Sequence, residues 1–108
     1  MAKYLLIESR DPYESGAVRE HLEWGMQLRR AGNEVLIFLV QNGVLPARTG
    51  ASSEELQELL RGGIDVFADE FSLRERGIAL ADVGKGIKVA PIDLVVDRLA
   101  DDWKAMFC

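Results

Sequence analysis

The sequence predicts a three-layer α/β/α domain with a mainly parallel sheet of five strands. Two observations predict this fold class: short, continuously apolar runs recur along the chain, and stretches with helical periodicity lie between them. Apolar runs without polar alternation are typical of strands that are covered on both faces. Strands that alternate with helices imply parallel pairing through right-handed crossovers.

The first strand, helix and second strand are predicted within the first 40 residues. Residues 4–7 and 35–40 are apolar runs rich in β-branched and aromatic side chains, and they predict the two strands. Asp11, Pro12 and Glu14 predict the start of the helix as cap, first helical residue and capping-box acid, and Gly32 predicts its end. The apolar stripe of this helix consists of Ala17, Val18, His21, Trp24, Gly25, Leu28 and Ala31.

The same alternation continues in the rest of the chain. Ser52 with Glu55 is a capping-box signature that predicts a second helix, which two glycines close at 62–63. The remaining predicted elements are a strand at 64–68, a short helix at 71–76, a weaker strand at 87–90, a helix opened by Pro91 and a last strand at 103–107.

Length, charge and composition bound the class of protein. The 108 residues suit a single domain over 1–108, and 48% of them are apolar, which is enough for a core without disulfides. A net charge of −5 argues against nucleic acid as a partner. The longest apolar run has six residues and no signal peptide is evident, so no membrane association is expected. The single cysteine, Cys108, suits a reducing, cytoplasmic location.

Polar side chains follow the predicted strands at what we call the carboxyl edge of the sheet, where the strands end. Ligands of open parallel sheets bind outside this edge. We therefore predict a ligand- or partner-binding surface there, while ordinary strand-to-helix loops are the alternative for each residue. Arginine is expected to pair with the adjacent acids. The predicted surface consists of Glu8, Arg10, Gln41, Asn42, Asp69, Glu70, Arg74 and Arg76.

Several familiar sites are not indicated. No G-x-G-x-x-G follows the first strand, and the segment 84–86 lacks the other residues of a P-loop, so it is interpreted as a surface turn. One histidine and one cysteine do not supply the usual zinc set, so no metal or cofactor is predicted. His21 is interpreted as a packed imidazole, and Trp24 and Trp103 as core or subunit-contact residues.

Three stretches, at 4–13, 38–44 and 68–78, resemble the DsrE/TusD-like (DsrE/F/H) family over nearly the whole chain. The resemblance implies a five-stranded, flavodoxin-like α/β/α fold, homo- or hetero-oligomers such as trimers and hexamers, and a role in sulfur relay. Active relay members carry a persulfide on a cysteine about eight residues before the glycine that corresponds to Gly77. This chain has Asp69 there, between Ala68 and Glu70, and none of these side chains can carry a persulfide.

Two functional hypotheses follow from the resemblance. The first is a DsrE-like homo-oligomer without the relay cysteine and without enzymatic activity, which binds a small ligand or a sulfur-carrier partner in intracellular sulfur metabolism. The alternative is an active sulfurtransferase that carries a persulfide on Cys108. As the last residue, Cys108 is expected to be exposed, mobile and incidental. A phosphoacceptor role for Asp69 is disfavoured because paired acids do not follow the first strand.

Overall fold

The computed structural model describes residues 1–12, 14–50 and 54–108, and it confirms the predicted fold class. Five strands form one sheet in the order β4-β3-β2-β1-β5, and every neighbouring pair is parallel. The strands are β1 (Lys3–Glu8), β2 (Glu34–Leu39), β3 (Asp65–Asp69), β4 (Lys88–Ala90) and β5 (Lys104–Phe107).

Helices cover both faces of the sheet. The helices are α1 (Gly16–Arg30), α2 (Glu54–Arg61), α3 (Glu70–Glu75) and α4 (Asp93–Ala100), with 3-10 turns at Gln41–Ala47 and Leu80–Asp82. Apart from the start of α1, the described ends of the predicted elements lie within one or two residues of these bounds. No described helix is both long and apolar enough to cross a membrane.

The two faces of the sheet are covered unequally. Among the described residues, fourteen buried apolar side chains pack between the sheet and α1, α2 and α3, with Leu6, Ile37 and Leu59 among them. Only four belong to the cluster on the opposite face, where Val95 of α4 packs against the sheet. The larger core therefore lies on the α1 side, and the α4 side keeps apolar groups at the surface.

Helix α1 begins later than the sequence predicts. Ser15 is its cap, and the Oγ atom of Ser15 accepts a hydrogen bond from the Ala17 amide at 3.2 Å. Asp11 and Glu14 instead close a separate turn, in which each amide donates to an oxygen of the other residue. The prediction that Asp11, Pro12 and Glu14 open the helix is therefore wrong, because Asp11 and Glu14 hydrogen-bond to each other and the Ser15 hydroxyl caps α1 instead.

In the second half of the chain, glycines follow the helices α2 and α3, as predicted. Gly63 and Gly77, which follow α2 and α3, have φ angles of +87° and +67°. These left-handed conformations are readily adopted by glycine. Segment 84–86 is a surface turn, with φ of +86° at Gly86. Ser52, the predicted cap of α2, lies outside the described residues.

Candidate functional site

The predicted surface at the carboxyl edge is divided into two regions by the sheet itself. Successive side chains of a strand point to opposite faces. Glu8, the last residue of β1, therefore points into the α1 side of the sheet, whereas Ile7 faces the α4 side. We call the open depression on the α4 side the β3-end groove, and the group formed by Glu8, His21 and Cys108 the Glu8 cluster.

The β3-end groove has a volume of about 920 Å³. It brings together six of the eight residues predicted for the carboxyl edge, while Glu8 and Arg10 do not line it. The predicted residues in the groove are Gln41, Asn42, Asp69, Glu70, Arg74 and Arg76. Its apolar lining includes Ile7, Val40, Phe71, Ile92, Val95 and Phe107. The sequence did not identify this apolar lining, because it arises where the short helix α4 leaves the sheet uncovered.

Asp69 caps α3 and anchors the polar side of the groove. Its Oδ2 atom accepts hydrogen bonds from the amide and the hydroxyl of Ser72, at 3.0 and 2.7 Å. The same hydroxyl accepts a hydrogen bond from the Gln41 amide at 2.8 Å. Gln41 has a φ of +51°, an uncommon conformation for a residue other than glycine. The network thus joins the turn after β2 to the helix after β3, and Asp69 is 6% exposed.

The expected ion pair between arginine and these acids is not formed. In the part of the chain that the structure describes, neither Asp69 nor Glu70 lies in a salt bridge. Arg76 instead donates through Nε to the Asn42 side-chain oxygen at 3.1 Å, and through Nη1 to the Ser72 carbonyl. Ser72 satisfies Oδ2 of Asp69, while Oδ1 is buried without a hydrogen-bond partner among the described residues.

The Glu8 cluster lies at the ends of β1 and β5, under α1. The Glu8 side chain is fully buried, and its Oε2 atom forms a hydrogen bond with Nδ1 of His21, whose side chain is 12% exposed. One nitrogen, oxygen or sulfur atom from each of Glu8, His21 and Cys108 lies within 4.8 Å of the others. His21 therefore does face the sheet, as its position on the apolar stripe predicts, but its partner is a carboxylate.

Cys108 is held in place, contrary to the expectation of an exposed and mobile terminal residue. Its amide donates to the Ile7 carbonyl at 2.8 Å, and its carbonyl accepts from the Ser9 amide at 2.8 Å. The Ser9 hydroxyl donates to the same carbonyl at 2.9 Å. These bonds continue the pairing of β5 with β1, so the half-buried thiol is fixed beside Glu8.

Burial controls the protonation of the cluster. It raises the pKa of Glu8 from 4.5 to about 8 and lowers the pKa of His21. Burial also raises the pKa of the Cys108 thiol; the nearby Glu8 raises it further and Arg10 opposes the shift. Low dielectric disfavours the charged forms, so the Glu8–His21 pair is held as a protonated carboxyl and a neutral imidazole. The cysteine is held as a thiol, unlike the thiolate of an activated nucleophile.

Sequence reasoning missed this cluster because its members are far apart in the chain. Glu8 and His21 are 13 residues apart, and Cys108 is the last residue. No spacing motif links them. The available signal was a polar residue ending a central apolar strand together with a histidine on the apolar face of the following helix. Only the pairing of β5 beside β1, with Ile7 opposite Phe107, adds the thiol.

Solved structures share this fold, whereas no protein-family model and no curated protein sequence matches the chain. The YchN protein of E. coli is similar with a TM-score of 0.89 and 17% identity, and the match covers 100% of both chains. MTH1491 of Methanobacterium thermoautotrophicum is similar with a TM-score of 0.85 and 17% identity, and the match again covers 100% of both chains. BT1422 of Bacteroides thetaiotaomicron gives 0.78 and 19%, over 98% of this chain and 95% of that one. MTH1491 and BT1422 are described as proteins of unknown function, so these likenesses establish the fold.

Proposed function

We propose that this protein is a DsrE-like, oligomeric accessory protein of intracellular sulfur metabolism that binds a partner segment in the β3-end groove. The family part of the proposal rests on the sequence resemblance at 4–13, 38–44 and 68–78. The single observation that carries the binding role is the place of Asp69 in the structure. At the position where relay members have their cysteine, this chain has a buried helix cap at the edge of a large groove.

The shape and chemistry of the groove favour a short peptide segment over a small ion. Its volume of about 920 Å³ is near the upper end of the range for ligand pockets. Phe71 and Phe107 offer apolar contacts, Arg74 offers a cation, and the Asn42 amide offers hydrogen bonds. A partner's tail with an apolar side chain and a terminal carboxylate would match all three kinds of group.

Exposed apolar groups support the oligomeric part of the proposal. Val96 is 62% exposed and Leu99 50%, and both come from α4, outside the lining of the β3-end groove. Such a surface is typical of a contact between subunits. The family resemblance favours a trimer or hexamer, and a dimer is the fallback. Sedimentation at micromolar concentration should give an oligomer, and a clean species of 12.0 kDa would contradict this.

Peptide titration tests the binding role. Amide NMR spectra are recorded with a short synthetic peptide that ends in an apolar residue and cysteine, as a stand-in for a sulfur-carrier tail. Shifts should concentrate at Asn42, Ser72 and Arg76. Phe71→Ala should weaken binding, whereas Leu80→Ala, which removes an exposed apolar side chain outside the groove, should not. Absence of binding, or equal loss in both variants, would reject the groove as the binding site.

Sulfur transfer through Cys108 is the second candidate function. The observation that favours it is the fixed position of the thiol beside His21, a potential base, while the raised thiol pKa disfavours it. In this step a thiolate attacks the outer sulfur of a polysulfide and becomes a persulfide, and the shortened polysulfide leaves with the electron pair. Intact mass after incubation with polysulfide would then rise by about 32 Da, mapped to Cys108. That result would show that the protein transfers sulfur, and it would reject the proposal of an accessory protein that only binds a partner.

A further inference from the structure

We propose that Glu8, His21 and Cys108 form a binding site for a zinc-type divalent cation, with three protein ligands and a fourth position open to water or another ligand. The proposal goes beyond the groove, which lies on the opposite face of the sheet. It rests on the three donor atoms, on the elements that hold them and on an oxygen atom of Glu8 that has no hydrogen-bond partner among the described residues.

The donor set has the chemistry of a zinc site. The cluster supplies one carboxylate oxygen, one imidazole nitrogen and one sulfur within 4.8 Å of one another. Zinc accepts all three donor types, and sites with three protein ligands keep a position open. Magnesium and calcium prefer oxygen donors and do not select a thiolate. The combination therefore favours zinc and its neighbours among the transition metals.

The three side chains belong to separate, well-anchored parts of the fold. Glu8 belongs to the central strand β1, between β2 and β5, and His21 lies within α1. The backbone of Cys108 is tied to Ile7 and Ser9. Tetrahedral zinc with ordinary bond lengths requires ligand atoms about 3.3–3.6 Å apart. To reach this geometry the hydrogen bond between Glu8 and His21 must open, and donor atoms that are up to 4.8 Å apart must approach one another by about 1 Å.

An independent observation also points to a cation. The Glu8 Oε1 atom is buried and accepts no hydrogen bond from the described residues. An unpartnered buried polar atom costs free energy, so such atoms call for an explanation. A cation ligated by Glu8 would neutralise the carboxylate and satisfy this oxygen. On binding, the cation displaces one proton from the Glu8–His21 pair and one from the Cys108 thiol, and both are released to solvent.

Metal titration tests the proposal. The protein is first treated with a chelator, and zinc is then added in competition with a chromophoric chelator. One zinc ion should bind per chain. Cobalt, used as a spectroscopic substitute, should give the thiolate-to-cobalt charge-transfer band and the intense visible bands of tetrahedral coordination. Magnesium should not compete.

Three variants and one control assign the ligands. Cys108→Ser should abolish the charge-transfer band, and both Cys108→Ser and His21→Gln should weaken zinc binding by roughly 10-fold or more. Glu8→Gln should weaken it similarly. Glu23→Gln, which changes an exposed acid on the same helix, should have no effect. Circular dichroism and thermal unfolding of each metal-free variant show whether it is folded. If Glu8→Gln is unfolded, Cys108→Ser and His21→Gln still show whether these side chains bind the metal.

Two results would overturn the metal site: cobalt binding without a charge-transfer band, or zinc affinity that Cys108→Ser and His21→Gln leave unchanged. Peptide binding in the β3-end groove is measured in the presence of chelator. Failure of the metal site therefore leaves the proposed function intact, and failure of peptide binding leaves the metal site intact.

Discussion

The β3-end groove and the Glu8 cluster both place a buried carboxylate at the end of a strand, yet the two carboxylates have different partners. Asp69 receives its hydrogen bonds from Ser72, three residues away, and caps its own helix. Glu8 meets an imidazole and a thiol from two other elements. Each acid also keeps one buried oxygen without a hydrogen-bond partner among the described residues. A carboxylate bound by local donors stabilises a turn, whereas one bound by distant titratable groups can exchange protons or bind a cation.

The largest expected effect comes from Gly43, which lies against the backbone of Glu8 at the end of β1. A Cβ atom at this position would lie 2.2 Å from the Glu8 carbonyl oxygen. Because that oxygen is backbone, it has little freedom to move. We expect Gly43→Ala to lower the free energy of unfolding by about 3 kcal/mol, measured by urea denaturation.

Gly16→Ala is the matched control for this substitution. A Cβ atom at Gly16 would meet no described atom within 4 Å, so the change should alter stability by less than about 1 kcal/mol. Equal stability of the two variants would show that the turn at 41–47 does not close tightly on β1.

A pH dependence should distinguish the Glu8 cluster from the groove. Folded Glu8 keeps its proton up to about pH 8, whereas the unfolded chain releases it near 4.5. The folded state therefore binds more protons in this range, and stability falls as the pH rises. His21 acts in the opposite direction below its ordinary pKa of 6.5, so the clean window is pH 6.5–8. We expect a loss of up to about 2 kcal/mol across it.

Urea denaturation at several pH values checks this dependence. Glu8→Gln cannot titrate and should show a nearly flat profile over the same window. Gly16→Ala, which changes no titratable group, should retain the wild-type slope. A flat wild-type profile would contradict the raised pKa of Glu8.

Asp69 should contribute to stability as the cap of α3. Asp69→Ala removes the acceptor for two hydrogen bonds from Ser72 at a site that is 6% exposed. We expect a loss of about 1–2 kcal/mol in the free energy of unfolding. Asp69→Asn keeps an acceptor and should lose less. Wild-type stability of Asp69→Ala would indicate that the network does not anchor α3.

The smallest expected effect concerns the reactivity of Cys108. Burial and Glu8 raise the pKa of its thiol, so alkylation should be slower than that of a free cysteine model compound. Glu8→Gln removes the negative charge at pH 9 and should accelerate alkylation several-fold, whereas Arg10→Gln should slow it. If neither substitution changes the alkylation rate, the charges of Glu8 and Arg10 do not influence the Cys108 thiol.

The sequence by itself predicted the sheet and its helices, because burial on both faces leaves a local pattern. The run at 35–40 is strand β2 except for its last residue. Of the predicted stripe of α1, Val18 and Gly25 are buried, whereas Ala17, Trp24 and Ala31 are exposed, and the buried Leu22 was not part of the prediction. The sequence also predicted six of the residues that line the groove, since parallel strands end at a common edge. Hydrophobic periodicity and the ends of strands can be recognised from residues that are close together in the sequence. The sequence was therefore sufficient to predict these elements and the residues at their ends.

Only the tertiary structure decided which polar residues belong together. The turn at Gln41–Ala47 is tied by a hydrogen bond from the Gln41 amide to the Ser72 hydroxyl of α3. The division of the carboxyl edge depends on the face to which each strand's last side chain points. The Glu8 cluster requires β5 to pair beside β1, which brings the last residue to the first strand. Strand order is set by the packing of the whole chain, so no local pattern records that Cys108 lies next to Glu8 and His21.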